Sequence, residues 1–153
     1  MNIIFLDVDG VLNSVEHLIE VYNKTGKPHH GINYPFDEKC LINLKRLVEE
    51  TNSLIVITST WRKYKDAKER LLEELKKYKL DKYVIGYTKN LGNKILEIKE
   101  YLKTLGENIN FIILDDSNSF EDMIKYLVVT NAYYGLREQD IEQAKMILRK
   151  GGE

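Results

Sequence analysis

Ile3-Ile4-Phe5-Leu6-Asp7-Val8-Asp9-Gly10-Val11-Leu12-Asn13 is an apolar run of strand length that stops at two carboxylates, two residues apart, followed by glycine. Residues spaced by two share one face of a strand, so Asp7 and Asp9 start on the same side. Where the strand ends, Gly10 lets the backbone turn sharply and both acids can converge on one point. Facing carboxylates repel, and a divalent cation is the usual compensation. The pattern points to a magnesium site in which one carboxylate is free to act as a nucleophile. Asp-Gly is also a good turn dipeptide, so this stretch alone leaves a surface turn open.

Four further apolar runs read as buried strands: Leu54 to Thr58, Tyr83 to Tyr87, Phe111 to Leu114 and Leu127 to Thr130. Continuous apolar runs, rather than alternation, are what a parallel sheet covered on both faces requires. Amphipathic segments lie between them. Asp37 reads as an N-cap, with Phe36 and Leu41 placed as a hydrophobic staple and Leu41, Leu44, Leu47 and Val48 on one face. Ala67, Leu71 and Leu75 mark a second helix; Ile95, Ile98, Leu102 and Leu105 mark a third, stopped by Gly106. Ser119 is placed to cap a short fourth helix, and Ile141, Ala144 and Leu148 mark the last. Strand–helix alternation predicts an α/β doubly wound three-layer sandwich, with sites at the C-terminal ends of the strands. No repeat or linker interrupts it, so one domain over 1–153 is expected. Asn13 to Pro35, with Gly26, Pro28, His29, His30 and Gly31, reads as an irregular flap over the site.

The strand-end rule isolates the chemistry. After the second run come Thr58-Ser59-Thr60-Trp61-Arg62, whose hydroxyls and backbone N–H groups suit a phosphate oxygen, with Arg62 as a forked donor. Thr58 and Ser59 equally suit a helix cap. After the fourth run come Asp115-Asp116, which packing does not explain, because unpaired buried carboxylates are costly. A cation shared with Asp7 and Asp9 accounts for both acid sets. Lys94 opens the third helix against the helix dipole, so an anionic partner is expected.

Composition sets the outer limits. The chain has 153 residues, 43% hydrophobic and 31% charged, enough for a real core. Lys+Arg total 23 against Asp+Glu 24, so no global charge advertises nucleic acid, and a local basic surface cannot be placed from totals. The single cysteine, Cys40, allows no internal disulfide and reads as a buried apolar residue. The apolar N-terminus is too short for a signal peptide or membrane span, so a cytoplasmic protein with no membrane partner is expected.

In order along the chain, Asp-x-Asp-Gly, a Thr/Ser ending the second strand, a Lys upstream of the fourth and Asp-Asp ending the fourth resemble the four motifs of the haloacid dehalogenase (HAD) superfamily. The resemblance covers nearly the whole chain. Asp7 to Asn13, Ser59-Thr60-Trp61-Arg62 and Gly135-Leu136 further resemble the small HAD domains of Swiss Army knife RNA-repair proteins.

The resemblance implies a five-stranded sheet of order 3-2-1-4-5 and a phosphatase that works through an aspartyl-phosphate. Asp7 is the implied nucleophile, and Asp9 the general acid and then base. Asp115 and Asp116, with Asp7 and the Asp9 backbone carbonyl, are the implied Mg2+ ligands. Thr58, or Ser59 if the register slips by one, binds the phosphoryl group, and Lys94 neutralises charge. Gly10 and Arg62 are further expected phosphate contacts. An acid at position 9 argues for phosphoryl rather than dehalogenase chemistry.

The gaps between motifs are too short for the cap domain that encloses small metabolites in this superfamily. An open site suits a bulky phosphorylated substrate, such as a nucleic-acid or nucleotide end; Tyr22, Tyr34, His29 and His30 in the flap suit stacking on a base and equally suit packing on the domain. The alternatives are a small-metabolite phosphatase closed by a partner subunit and a binding module with a vestigial site. Intact acids, hydroxyls and lysine count against the latter.

Overall fold

In the computed structural model, which describes residues 1–151, the chain forms a three-layer α/β/α sandwich. Strands β1 (Asn2–Leu6), β2 (Ser53–Ile57), β3 (Val84–Tyr87), β4 (Asn110–Asp115) and β5 (Leu127–Val129) make one parallel sheet of order β3-β2-β1-β4-β5. The order and the strand positions agree with the sequence reading. Among the described residues no cap domain is inserted.

Burial explains why β1 is central. Ile3, Ile4, Phe5 and Leu6 are all 0% exposed. Ile3 and Phe5 join Val56, Ile113 and Ile98 on one face, while Ile4 and Leu6 join Ile55, Ile57 and Leu114 on the other. Burying each such side chain contributes about 1.5–3 kcal/mol, so a charge anywhere in this run is incompatible with the fold.

The helices divide unequally between the faces. Helices α2 (Glu38–Thr51), α3 (Lys65–Lys77) and α5 (Glu138–Gly151) bury Leu44, Leu71 and Ile141 on the Leu6 side. On the Phe5 side lie Ile98 of α4 (Lys94–Leu105) and Met123 of a 3-10 helix, Glu121–Tyr126. Asp37 caps α2 as expected, its Oδ1 accepting from the Lys39 N–H at 3.0 Å, with Phe36 and Leu41 buried beside it. Cys40 is buried too, and burial followed by the nearby Asp37 pushes its thiol up to about 12, which suits packing and not chemistry.

Two local expectations are corrected. Asn13 to Pro35 is not irregular throughout: Val15–Thr25 is a helix, α1, capped by Ser14 and closed by Gly26 at φ +69°. It buries no residue, although Val15, Leu18, Ile19 and Tyr22 carry the i, i+3, i+4, i+7 spacing of an amphipathic helix. The site is bordered by Asn13 and Val15, at the start of this stretch, and by the segment after the helix, with its 3-10 turn at Gly31–Asn33. The second correction concerns Ser119, which caps nothing. Phe120 occupies the cap position of the 3-10 helix, and Phe120, Met123 and Tyr126 recur every third residue, the period of a 3-10 and not an α-helix. Among the described residues, no helix is long and apolar enough to cross a membrane.

Candidate active site

Parallel register brings the four motifs to one edge of the sheet. Leu6 pairs with Ile57 on one side and Leu114 on the other, so Asp7, Thr58 and Asp115 follow at the same level. The ladder runs one residue further, with the Asp7 N–H donating to Leu114 O at 3.0 Å and the Thr58 N–H to Leu6 O at 2.9 Å.

Gly10 makes the turn possible. Its φ of +78° disfavours any side chain, and a Cβ there would lie 2.7 Å from Asp116 Cγ. Its backbone is fully engaged: the N–H donates to Asn13 Oδ1 at 2.8 Å, and the carbonyl accepts from Thr130 Oγ1 at 2.7 Å. Gly10, expected as a phosphate contact, lines the cavity beside the acids, and its N–H and carbonyl are engaged in shaping the loop. Leu136 braces the same loop, its N–H donating to Val11 O at 2.9 Å.

Asp7, Asp115 and Asp116 each offer a carboxylate oxygen within 4.8 Å of the others. Lys94 Nζ lies 2.6 Å from Asp115 Oδ2 and 3.4 Å from Asp7 Oδ2, the anionic partners expected for it. Asp115 is 1% exposed, and its Oδ1 accepts from the Ser117 N–H at 2.9 Å. Burial first, and then Asp115, raise the Asp7 carboxyl to about 6 despite Lys94. Asp116 is raised for the same two reasons. Burial alone would favour a neutral Lys94, but Asp7 and Asp115 together hold it above its ordinary value. One lysine thus leaves three acids short of positive charge. A hard divalent cation with oxygen ligands fits this deficit and this donor set.

Asp9 does not join that cluster, contrary to the expectation of convergence. Its Oδ1 accepts from Asn13 Nδ2 at 2.8 Å and Trp61 Nε1 at 3.1 Å, which turn the carboxylate toward the mouth of the site. Any contact of Asp9 with a cation at the cluster then falls to its backbone carbonyl. Asn13 and Trp61 were not singled out in the sequence. An indole is a donor without acceptor capacity, and a buried one needs a partner, which was the available signal.

The two candidate hydroxyls separate. Ser59 Oγ accepts from the Trp61 N–H at 3.2 Å and caps the 3-10 helix Thr60–Lys63. Thr58 Oγ1 is buried with no hydrogen-bond partner. Leaving such a group unpaired costs about 1–3 kcal/mol, so it is the hydroxyl that a phosphoryl oxygen would satisfy.

Arg62 is reassigned. Its side chain is 5% exposed, and its nitrogens donate to the carbonyls of Thr58, Ser59, Thr88 and Lys89. Nη2 also pairs with Glu97 Oε2 at 3.1 Å, a carboxylate that accepts the Leu91 N–H as well. Arg62 therefore ties the ends of β2 and β3 to the first turns of α4, which carries Lys94. No fork is left for a phosphate.

A cavity of about 460 Å³ opens beside the acids, with Asp9, Asp116, Tyr34, Thr60, Trp61 and Tyr64 in its wall. Tyr34 is raised above its ordinary value by burial and by Asp9. Tyr22, His29 and His30 lie outside this wall.

The family model for the HAD domain in Swiss Army Knife RNA repair proteins matches residues 3–141. The chain belongs to this family. No curated protein and no solved structure gives a significant match. Membership supports phosphohydrolase chemistry of the HAD type, and the match spans all four motifs from Asp7 to Asp116.

Proposed function

We propose that the protein is a magnesium-dependent phosphatase that removes a terminal phosphate from a nucleic-acid end through an aspartyl-phosphate on Asp7. The observation that carries this reading is the buried cluster of Asp7, Asp115 and Asp116 beside Lys94, with Asp9 held apart from it by Asn13 and Trp61.

Asp7 attacks phosphorus in line while the bond to the leaving oxygen breaks and Asp9 gives that oxygen a proton. Asp9 then takes a proton from water as water attacks the phosphorus of the aspartyl-phosphate, which frees Asp7 and releases inorganic phosphate. Lys94 offsets the charge on Asp7 and on the transferring group, and the Thr58 hydroxyl donates to a phosphoryl oxygen. Mg2+, held by Asp7, Asp115 and Asp116, would supply the remaining charge neutralisation that lets a carboxylate approach a phosphate dianion. The structural roles of Gly10 and Arg62 keep the acids and Lys94 in register.

A nucleic-acid end suits the site because no cap domain encloses it and three aromatic side chains line the cavity. Base stacking on such groups contributes about 1–3 kcal/mol per base. The test is a comparison of kcat/KM across 3′- and 5′-phosphorylated oligonucleotides, the matching mononucleotides, sugar phosphates and an aryl phosphate. The phosphorylated oligonucleotides should give the highest values. A clear preference for a sugar phosphate would replace this reading with a small-metabolite phosphatase.

A further inference from the structure

The net charge of −1 conceals a basic concavity next to the catalytic cavity. A second cavity of about 520 Å³ is lined by Lys27, Pro28, His29, His30, Asn33 and Arg70, and no carboxylate is among them. We propose that this pocket binds an internucleotide phosphate of a single-stranded nucleic acid whose terminal phosphate sits at Asp7. The proposal rests on the phosphatase reading above and names how its substrate would be held.

Three observations support it. The first is position. Gly31, Ile32 and Tyr34 face the catalytic cavity, whereas His30 and Asn33 face the basic one. One 3-10 turn, Gly31–Asn33, is the partition between them. A chain leaving the catalytic cavity need only cross this turn to place its next phosphate among the cations.

The second is that the cations have no carboxylate partner. Among the described residues, Lys27 and Arg70 take part in no ion pair, although the surface has many. Arg70 Nη1 donates to the carbonyls of Ile32 and Tyr34, while its Nε and Nη2 make no hydrogen bond. His29 Nδ1 sits 3.0 Å from Lys27 O, which leaves Nε2 as its free nitrogen. An unengaged guanidinium edge beside an ammonium and imidazoles is a phosphodiester-recognising set.

The third is rigidity. Arg70 lies over Phe36 at 5.1 Å and Trp61 at 5.8 Å from the ring centroids, and Trp61 holds Asp9. One indole thus lies between the basic pocket and the proposed general acid. Tyr34 and Tyr64 line the cavity on the catalytic side, where the terminal base would stack. Phosphate contacts of this kind position a strand without reading its sequence, which suits an enzyme that acts on ends.

The experiment pairs binding with turnover in wild type and in the double variant Lys27→Gln/His30→Gln. Both side chains are exposed, and Arg70 is kept because it anchors the partition. Binding is read by fluorescence anisotropy with a short single-stranded oligonucleotide bearing hydroxyls at both ends. Turnover is read with the same oligonucleotide carrying a terminal phosphate, with the mononucleotide and with an aryl phosphate. The variant should bind the unphosphorylated strand roughly 5–10-fold more weakly, and its salt slope should fall by about 0.7, as one phosphate is no longer neutralised. The kcat/KM for the phosphorylated strand should fall by the same factor, with mononucleotide and aryl phosphate within twofold of wild type.

Equal binding and an unchanged salt slope would overturn the subsite while leaving terminal-phosphate hydrolysis standing. Weakened strand binding in a protein that hydrolyses no phosphorylated end would keep the subsite and remove the phosphatase reading. An equal loss on the mononucleotide would show that the pocket serves the reacting phosphate, and would overturn the proposal.

Discussion

Trp61 Nε1 donates to Asp9 Oδ1 at 3.1 Å, so the indole that follows β2 aims the acid that follows β1. Asn13 donates to the same oxygen, leaving Oδ2 as the atom free to meet a leaving group. Trp61→Phe keeps the edge contact with Phe36, whose ring lies 5.3 Å away, and removes only the donor. The variant should keep most of its activity on an aryl phosphate with a good leaving group. On an alkyl phosphate it should lose about tenfold, because proton donation matters most for poor leaving groups. A plot of log kcat/KM against leaving-group pKa would steepen, and equal loss on all substrates would reduce Trp61 to packing.

Thr58 offers a test with opposite signs for stability and activity. Thr58→Val replaces a buried, unpartnered hydroxyl with a methyl of nearly the same shape. Without substrate the variant should be as stable as wild type or up to about 1 kcal/mol more stable, because the orphan group is gone. Its kcat/KM should fall by about 10-fold or more, the loss expected when one preorganised donor to the phosphoryl group is removed. Thermal melting and steady-state kinetics together decide it.

Asp7 makes stability depend on pH in the absence of metal. Its carboxyl is raised from 3.8 to about 6, so the folded state holds its proton more tightly than the unfolded chain. The stabilisation is complete below the ordinary carboxylate value and is lost as pH rises through about 6. In chelator, Asp7→Asn should therefore melt higher than wild type at pH 7.5, by roughly 2–3 kcal/mol at most, and the gap should shrink to about half by pH 5 and close below about pH 4. Calorimetry across that range checks the sign, and an Asp7→Asn protein that melts lower at pH 7.5 would contradict it.

Arg62 and Glu97 form a buried pair, each side chain 5% exposed. Arg62→Met strands Glu97 and should cost about 3–5 kcal/mol, whereas exchanging both for apolar residues should recover part of it. Denaturant melts of the single and double variants measure this directly.

Fold and site were unequally legible in the sequence. The strands were readable because Ile3 to Leu6 and their neighbours are buried on both faces, which leaves an unbroken apolar run. The acids and Lys94 were readable because strand ends concentrate chemistry and packing had no use for them there. Helix α1 was legible in the spacing of Val15, Leu18, Ile19 and Tyr22, but Gly26, Pro28, Gly31 and Pro35 after it made the whole stretch read as a loop. Its caps, Ser14 and Gly26, were a second signal. Arg62 was misread for a different reason. A guanidinium after a strand suits a phosphate or a set of carbonyls equally well, and only the positions of Thr88, Lys89 and Glu97, distant in sequence, choose between them. Net charge likewise hid the Lys27–Arg70 pocket, whose members come from a loop and from α3.

Metal-dependent turnover by Asp7 is the central claim, and one measurement meets it directly. Hydrolysis of an aryl phosphate is followed in wild type and Asp7→Asn, first in EDTA and then with Mg2+ titrated back. Wild type should be silent in EDTA and recover with saturating Mg2+, because Asp7, Asp115 and Asp116 leave a charge deficit that Lys94 alone does not fill. Asp7→Asn should stay inactive at every Mg2+ concentration. Full wild-type turnover in EDTA, or retained turnover by Asp7→Asn, would contradict the assignment.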